Sequence, residues 1–363
     1  MEKMKEKKMN KNRLFLDIHI IQTVPPSNIN RDDTGSPKTA QYGGVRRARI
    51  SSQSWKRAMR KYFYENSAQE NIGVRTLELV EYVKEKILEI NKDIDEKKAK
   101  DLANDVLKEA GISLKDDKAK ALFFMGDTQG RKLAQAALDG IKDKKILQEM
   151  LRENPAIDIA LFGRMVADDP SLNEDASSQV AHAISTHAVQ TEFDFFTAVD
   201  DKKPEDNAGA GMLGTIEYNS STLYRYANVA VHELLGQLDD KESVINTLKL
   251  YVEAFSNSMP TGKVNTFANQ TLPQLTLLNL RVDRPVNLVN AFEKPVKSTD
   301  GYAYESINRV FDADKEVEKF VKEPAASYYL LLKNQDIDTN SEKAESLKDL
   351  LQRLASDLET LLD

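Results

Sequence analysis

LFLDIHIIQTVPPSNINRDDTGSPKTAQYGGVRRARISSQSWKRAMRKYF, residues 14–63, carries three structural signals in succession. Leu14, Leu16, Ile18 and Ile20 alternate with Phe15, Asp17, His19 and Ile21, the period of a half-buried strand. Pro25 and Pro26 predict its end, and a polar loop is expected through Gly43 and Gly44. A helix then opens at Ser51, a good N-cap residue, with Ile50 and Trp55 spaced as a hydrophobic staple. At about 100° per residue, Trp55, Ala58, Met59 and Tyr62 gather on one side and Gln53, Lys56, Arg57 and Arg60 on the other. Strand, basic loop and basic amphipathic helix, in that order, open a βα unit.

Charge singles out the same stretch. Between Asp33 and Glu65 there is no acidic residue, yet 31 residues hold Lys38, Arg46, Arg47, Arg49, Lys56, Arg57, Arg60 and Lys61. The whole chain has a formal charge of −7, so the remainder carries −15. Self-repulsion on this scale favours binding an anion over serving as a merely solvated face. Phosphates respond to the local field where they dock, so the net acidity does not exclude nucleic acid. Gln53, Lys56 and Arg60 form one stripe suited to successive phosphates, and Ser51 and Ser52 add backbone N–H donors at the helix start.

Further along, residues 68–155 read as a mostly helical block with breaks at Gly111, Gly126–Gly130 and Pro155. Aromatic strands near Phe193–Phe196 and Thr222–Val229 flank a Gly-rich tip at 207–214, the pattern of a protruding hairpin. Residues 241–257 and 286–294 look helical, 275–282 and 326–333 strand-like, and 341–362 is a Leu-rich amphipathic helix. Residues 1–12 are expected to fray. Strands separated by helices predict an α+β fold with insertions.

Composition closes several routes. With 363 residues, 40% hydrophobic and 30% charged, the chain has material for a sizeable core. There is no cysteine, which removes disulfides, thiol nucleophiles and Cys-built zinc sites and fits a reducing cytoplasm. No run is long enough for a membrane span, and Asp17 and His19 interrupt what would otherwise resemble a signal peptide. His182 and His187 lie five apart, a poor ligand spacing, and read as residues that pack or hydrogen-bond a strand. No P-loop, nucleophile elbow or dinucleotide fingerprint occurs. Asp32 and Asp33 could hold magnesium for phosphodiester cleavage, but a dipeptide supplies few ligands, and pairing or turn-capping is the plainer role. After Ile157–Phe162 comes Gly163-Arg164-Met165: either a turn with a core methionine or a solvent-facing Met able to wedge against bases. Lys142, Lys144 and Lys145 form a small basic cluster whose default is a solvated face.

INRDDTGSPKTAQYGGVRRARISSQSWKRAMRKYF (29–63), DIALFGRM (158–165), VAHAISTHAVQTEFDFFTAVDD (180–201), LYRYANV (223–229) and NAFEKPVKSTDG (290–301) together resemble the CasC family. That family supplies the backbone subunit of type I-E CRISPR Cascade complexes. The resemblance implies a modified RNA-recognition-motif (ferredoxin-like) palm in three pieces (13–67, 166–192 and 226–340), helical fingers at 68–165, a β-hairpin thumb at 193–225 and a C-terminal helix at 341–363. It also implies copies stacked in a helical filament along crRNA, alongside other Cascade subunits. Each thumb displaces a nucleotide at intervals, and the remaining bases stay free to pair with target DNA.

By the same resemblance, Arg31, Lys38, Ser51, Gln53, Lys56, Arg60 and Met165 contact the guide, and Lys142, Lys144 and Lys145 hold target DNA. No catalytic residue, metal or cofactor is implied, and no membrane. Two alternatives are an RNA endonuclease using Asp32 or Asp33, as in type III backbones, and a stand-alone single-strand binder. The second would call for an array of stacking aromatics, whereas the aromatics here lie mainly in strands and at the thumb base.

Overall fold

The computed structural model describes residues 13–67, 71–166, 169–198, 202 and 213–363. The expected frayed start, 1–12, and nearly all of the Gly-rich tip, 207–214, lie outside the described residues. The first apolar run forms β1 (Phe15–Ser27). Its alternation predicts one wet face, but neither is wet: Leu16, Ile18 and Ile20 are buried on one side and Asp17, His19 and Ile21 on the other. Nor do Pro25 and Pro26 end the strand. They sit where its register against a neighbour shifts between Val24 and Ser27, a bulge where the ladder can spare two N–H groups.

The expected loop contains a hairpin. β2 (Thr39–Tyr42) and β3 (Val45–Ile50) pair antiparallel with Tyr42 opposite Val45. Gly43 and Gly44 between them have φ of 57° and 78°, the left-handed pair that matches strand twist in a two-residue turn. A Cβ on Gly43 would stand 1.6 Å from the Glu293 carbonyl oxygen, whereas one on Gly44 would meet nothing within 4 Å. Gly44→Ala is therefore expected to cost only the left-handed strain, about 1–2 kcal/mol. Gly43→Ala should cost distinctly more, because the Glu293 backbone must also withdraw. Urea unfolding of the two variants checks the order, and equal losses would refute the contact.

Next comes α1 (Ser52–Asn66), started by Ser51, whose hydroxyl accepts from the Ser54 N–H; Trp55, Met59 and Phe63 are its buried residues. Ile50 and Trp55 share one buried cluster, as the staple requires. The helical block holds β4 (Val74–Thr76), α2 (Leu79–Ile90), α3 (Glu96–Glu109), β5 (Leu114–Lys115), β6 (Lys118–Ala119), β7 (Phe123–Met125), α4 (Asp127–Leu138), α5 (Lys144–Arg152) and α6 (Ile157–Phe162). Its first four helices enclose a core of their own around Val83, Ile87, Leu107, Leu133 and Leu147.

β8 (Ser178–Val180), β9 (Ala183–Ser185), β10 (Glu192–Thr197) and β11 (Leu213–Ala230) follow. β10 pairs with the first six residues of β11, Leu213–Tyr218, so a hairpin is present but its second arm is not the expected Thr222–Val229, which the same long strand carries on into the main sheet against β1. The remaining elements are α7 (Val231–Leu238), α8 (Lys241–Asn257), α9 (Val264–Phe267), β12 (Leu275–Arg281), α10 (Ala303–Val317), β13 (Ala326–Leu331), β14 (Glu342–Lys343) and α11 (Leu347–Leu361). The helix read over 286–294 is a 3-10 turn at Leu288–Phe292, and the C-terminal helix begins only after β14.

Strand order in the main sheet is β14-β13-β12-β1-β11-β9-β3-β2, antiparallel except for β13–β14, with β8 and β10 also on β11. β1 is central, with Leu16 opposite both Val229 and Leu280. Met59 and Phe63 of α1, Leu248 and Val252 of α8 and Leu354 of α11 share a core with Leu16 and Ile18. Phe292, Ile307 of α10 and Leu277 share another with Ile21. Helices on both faces explain why β1 is dry throughout. The fold is mixed α and β, built on this large sheet. Among the described residues no helix is long and apolar enough to cross a membrane.

Candidate nucleic-acid interface

The eight cations of the acid-free stretch do not share one fate. Arg47 is fully buried. Its guanidinium donates to the carbonyls of Tyr42 (3.1 Å), Ser185 (2.9 Å) and Phe292 (2.6 Å), fastening the hairpin to the sheet and to the 3-10 turn. It holds structure and faces no ligand. Arg60, on the predicted stripe, is tied as well: Nε lies 2.9 Å from buried Asp158, Nη2 donates to Gly73 O at 3.2 Å, and the guanidinium stacks 4.3 Å over Phe124. Burial raises the Asp158 carboxyl, and Arg60 pulls it back. Arg60 thus joins α1 to the helical block and keeps only a partly exposed edge.

The others face outward. Gln53, Arg46, Arg57 and Lys61 are exposed, while Lys38, Arg49 and Lys56 are half-buried. Lys56 Nζ lies 5.5 Å over the Phe162 ring, and burial lowers its pKa. Ser51 is buried, and its N–H, expected to be free, donates to Asn30 Oδ1 at 2.9 Å. The open donors at the helix start are those of Ser52 and Gln53, whose position in the first turn leaves them without intrahelical acceptors. Arg31 is exposed beside Arg57 and Lys61 on an open cleft of about 730 Å³. Lys263 also lines that cleft, a cation that sequence reasoning missed because it lies 200 residues beyond α1, in a turn with φ of 52°.

Asp32 has a structural occupation. Its Oδ1 accepts from Thr34 N (3.0 Å), Thr34 Oγ1 (2.7 Å) and Ser36 N (3.0 Å), and the Thr34 hydroxyl bond above all holds the carboxyl below its usual range. Asp33 is exposed. Among the described residues no group of three or more acids or histidines could hold a metal. His187 stacks on Tyr302 at 3.7 Å and accepts from Thr222 N, as a strand-packing histidine does. His182 instead is exposed, 3.1 Å from Arg49.

Met165 is not a core residue; it is 83% exposed. Gly163 ends α6 at φ 78°, and buried Arg164 donates to Leu172 O, Phe124 O, Gln129 Oε1 and Leu151 O. A rooted arginine therefore holds a free methionine at the edge of the helical block. Lys142, Lys144 and Lys145 are exposed at the start of α5, where Asp143 caps the helix, and Lys144 lies 3.2 Å from Asp169. On the hairpin, Phe193 and Phe195 are 65% and 66% exposed, and every residue of β10 faces solvent.

The family model described as CT1975-like protein matches residues 16–355. A chain of a solved CRISPR RNA-guided surveillance complex, pre-nicking, is 31% identical and superposes with a TM-score of 0.85, covering 95% of this chain and 100% of that one. A chain of another CRISPR RNA-guided surveillance complex is 29% identical with a TM-score of 0.65, over 94% of this chain and 99% of the other. No curated protein matches the sequence.

Proposed function

We propose, on the premise that this chain belongs to the CT1975-like family and is a Cascade backbone-type protein, that it carries guide RNA in a type I-E complex. Copies would polymerise along crRNA beside other Cascade subunits and present its bases to target DNA. The observation that carries this reading is the way the acid-free stretch folds. Hairpin and α1 are consecutive, their cations mostly reach solvent, and Arg31, Arg57, Lys61 and Lys263 from three segments line one cleft. Only backbone phosphates repeat often enough to engage so many cations without reading sequence.

In this reading the sheet residues within 13–67, 166–192 and 226–340 are the palm. Residues 68–165, with their separate core, are the fingers. Residues 193–225, with exposed Phe193 and Phe195, are the thumb. Met165, free but firmly rooted, suits packing beside a displaced base. We read the chain as a non-catalytic scaffold, and the turn bonds on Asp32 favour this over cleavage.

One incubation of labelled crRNA in magnesium tests the reading, run on native and denaturing gels. Intact RNA shifted in a ladder of growing size is the expected result. Shortened RNA, lost in Asp32→Ala or Asp33→Ala, would overturn it and make the chain a nuclease. Lys38→Ala with Lys56→Ala should weaken binding to every RNA sequence. Each lost phosphate contact should also reduce the slope of log K against log salt by roughly 0.7. Unchanged binding would refute the interface. Arg60 is left out of this pair because its loss would also release Asp158.

A further inference from the structure

His182 belongs to no part of the interface described so far, yet its surroundings are distinctive. It lies between β8 and β9, with Nδ1 3.1 Å from Nη1 of Arg49. A guanidinium only donates, so Nδ1 must accept, and the neutral ring then carries its proton on Nε2. Arg49 Nε donates to Thr39 O at 3.1 Å, leaving Nη2 uncommitted among the described residues. Lys38 stands opposite Arg49 in the hairpin, its carbonyl accepting the Arg49 N–H at 2.9 Å.

Lys38 and Arg49 also line a small pocket with Asn219, which is 7% exposed and whose Nδ2 has no acceptor. Partial burial, and after it the charges of Arg49 and Lys38, hold the His182 ring below its ordinary range. Lys38 and Arg49 thus have His182 and, in the pocket, Asn219 as neighbours, and no acid lines that pocket.

We propose that Lys38, Arg49 and His182 hold one backbone phosphate of the bound RNA, apart from the α1 row, and that filling this site draws a proton onto His182. The inference rests on the guide-binding reading above and adds Arg49 and His182 to it. Without an anion, protonating the ring would break the Arg49 bond and set two cations side by side. With a phosphate between them the imidazolium becomes a charge-assisted donor. Proton uptake and binding are then linked, and affinity rises as pH falls.

The test is binding of a labelled single-stranded RNA to the full chain at fixed salt, at pH 5.8 and 8.0. Wild type is expected to bind about three- to tenfold more tightly at pH 5.8. His182→Gln should lose that difference, and Arg49→Met should bind about tenfold more weakly at both pH values, with a salt slope smaller by roughly 0.7. The chain has four histidines, so their ring proton signals can be followed individually by NMR. The signal missing in His182→Gln should titrate at higher pH once RNA is bound. An equal pH response in wild type and His182→Gln, or a His182 titration unmoved by RNA, overturns the proposal. If Lys56→Ala weakens binding while both new variants bind as wild type, the site is refuted and the guide-binding reading stands. If wild type binds no RNA, both fall.

Discussion

Arg281→Met is expected to lower the unfolding free energy by about 3–5 kcal/mol, and by more at pH 8 than at pH 5. Arg281 is fully buried between two acids: Nη2 lies 2.8 Å from Asp314 Oδ1, and Nε 3.3 Å from Asp17 Oδ2. The second contact is an ion pair without hydrogen-bond alignment, since Nε has no bonded acceptor. Tyr226 Oη (2.7 Å) and Val286 N (2.9 Å) donate to Asp17 instead. Burial pushes the Asp17 carboxyl up to about 7 against the pull of these donors and of Arg281, and burial raises Asp314 too.

A carboxyl that keeps its proton to about pH 7 when folded, but releases it near pH 4 when unfolded, stabilises the fold most below pH 4. That contribution fades as pH rises to 7. Removing Arg281 raises both carboxyls further. At pH 5 Asp17 is neutral and much of the loss is packing and hydrogen bonds; at pH 8 both buried acids lack the guanidinium that favours their charged forms. Urea unfolding at the two pH values decides this. Equal losses, or a loss below about 1 kcal/mol, would show that the triad is not held as described.

Arg164→Leu is the second large effect, about 3 kcal/mol or more, while Met165→Ala next to it costs under about 0.5 kcal/mol. Arg164 makes no hydrogen bond to a carboxylate. Four bonds to three carbonyls and one amide, with the Phe123 ring at 5.1 Å, hold a guanidinium whose pKa burial lowers to about 10. Leucine would take this donor from all four: Gln129 Oε1 keeps Gly126 N and Leu151 O keeps Gln129 Nε2, but the Leu172 and Phe124 carbonyls would lose their guanidinium partner in a dry site. Met165 is exposed, and its removal uncovers nothing. Parallel urea unfolding of both variants is the measurement, and similar losses would mean that Arg164 is not the root of this arm.

Adjacent residues with such different costs show what sequence reading reaches. α1 was legible because Ser51, Trp55, Met59 and Phe63 obey local rules of cap and period. The hairpin before it is harder to read: Gly43-Gly44 between Tyr42 and Val45 is a turn signal, but it closes a polar stretch with no apolar alternation to mark strands on either side. α10 went unread because Tyr302, at its N-cap, makes no side-chain cap bond to announce it. Arg47 and Lys38 look alike in a charge count. What separates them is the set of carbonyls awaiting Arg47 on residues 185 and 292, which no local pattern reveals. Arg60 likewise meets Asp158 from a distant helix. Asp17 and His19 read as a wet face because their partners on β11 and β12 lie more than 200 residues away. The candidate surface was thus located as a segment, but its membership depended on tertiary partners.

The position of β1 also sets an order of events during synthesis. Its partners, β11 and β12, begin at residues 213 and 275, so the strand emerges early and waits for most of the chain to be made. The block from α2 to α5 closes its core with little more than its own residues, Leu172 being the buried member that lies beyond it. Local contacts form fast and distant pairings late. Vectorial folding would therefore complete the helical insertion first, leaving an unpaired apolar strand to find two partners afterwards. In a nascent chain that exposed edge is a template for the wrong neighbour. Asp17 and His19, polar groups later locked into the dry interior, break the apolar run during that wait and make the strand a poorer seed for aggregation.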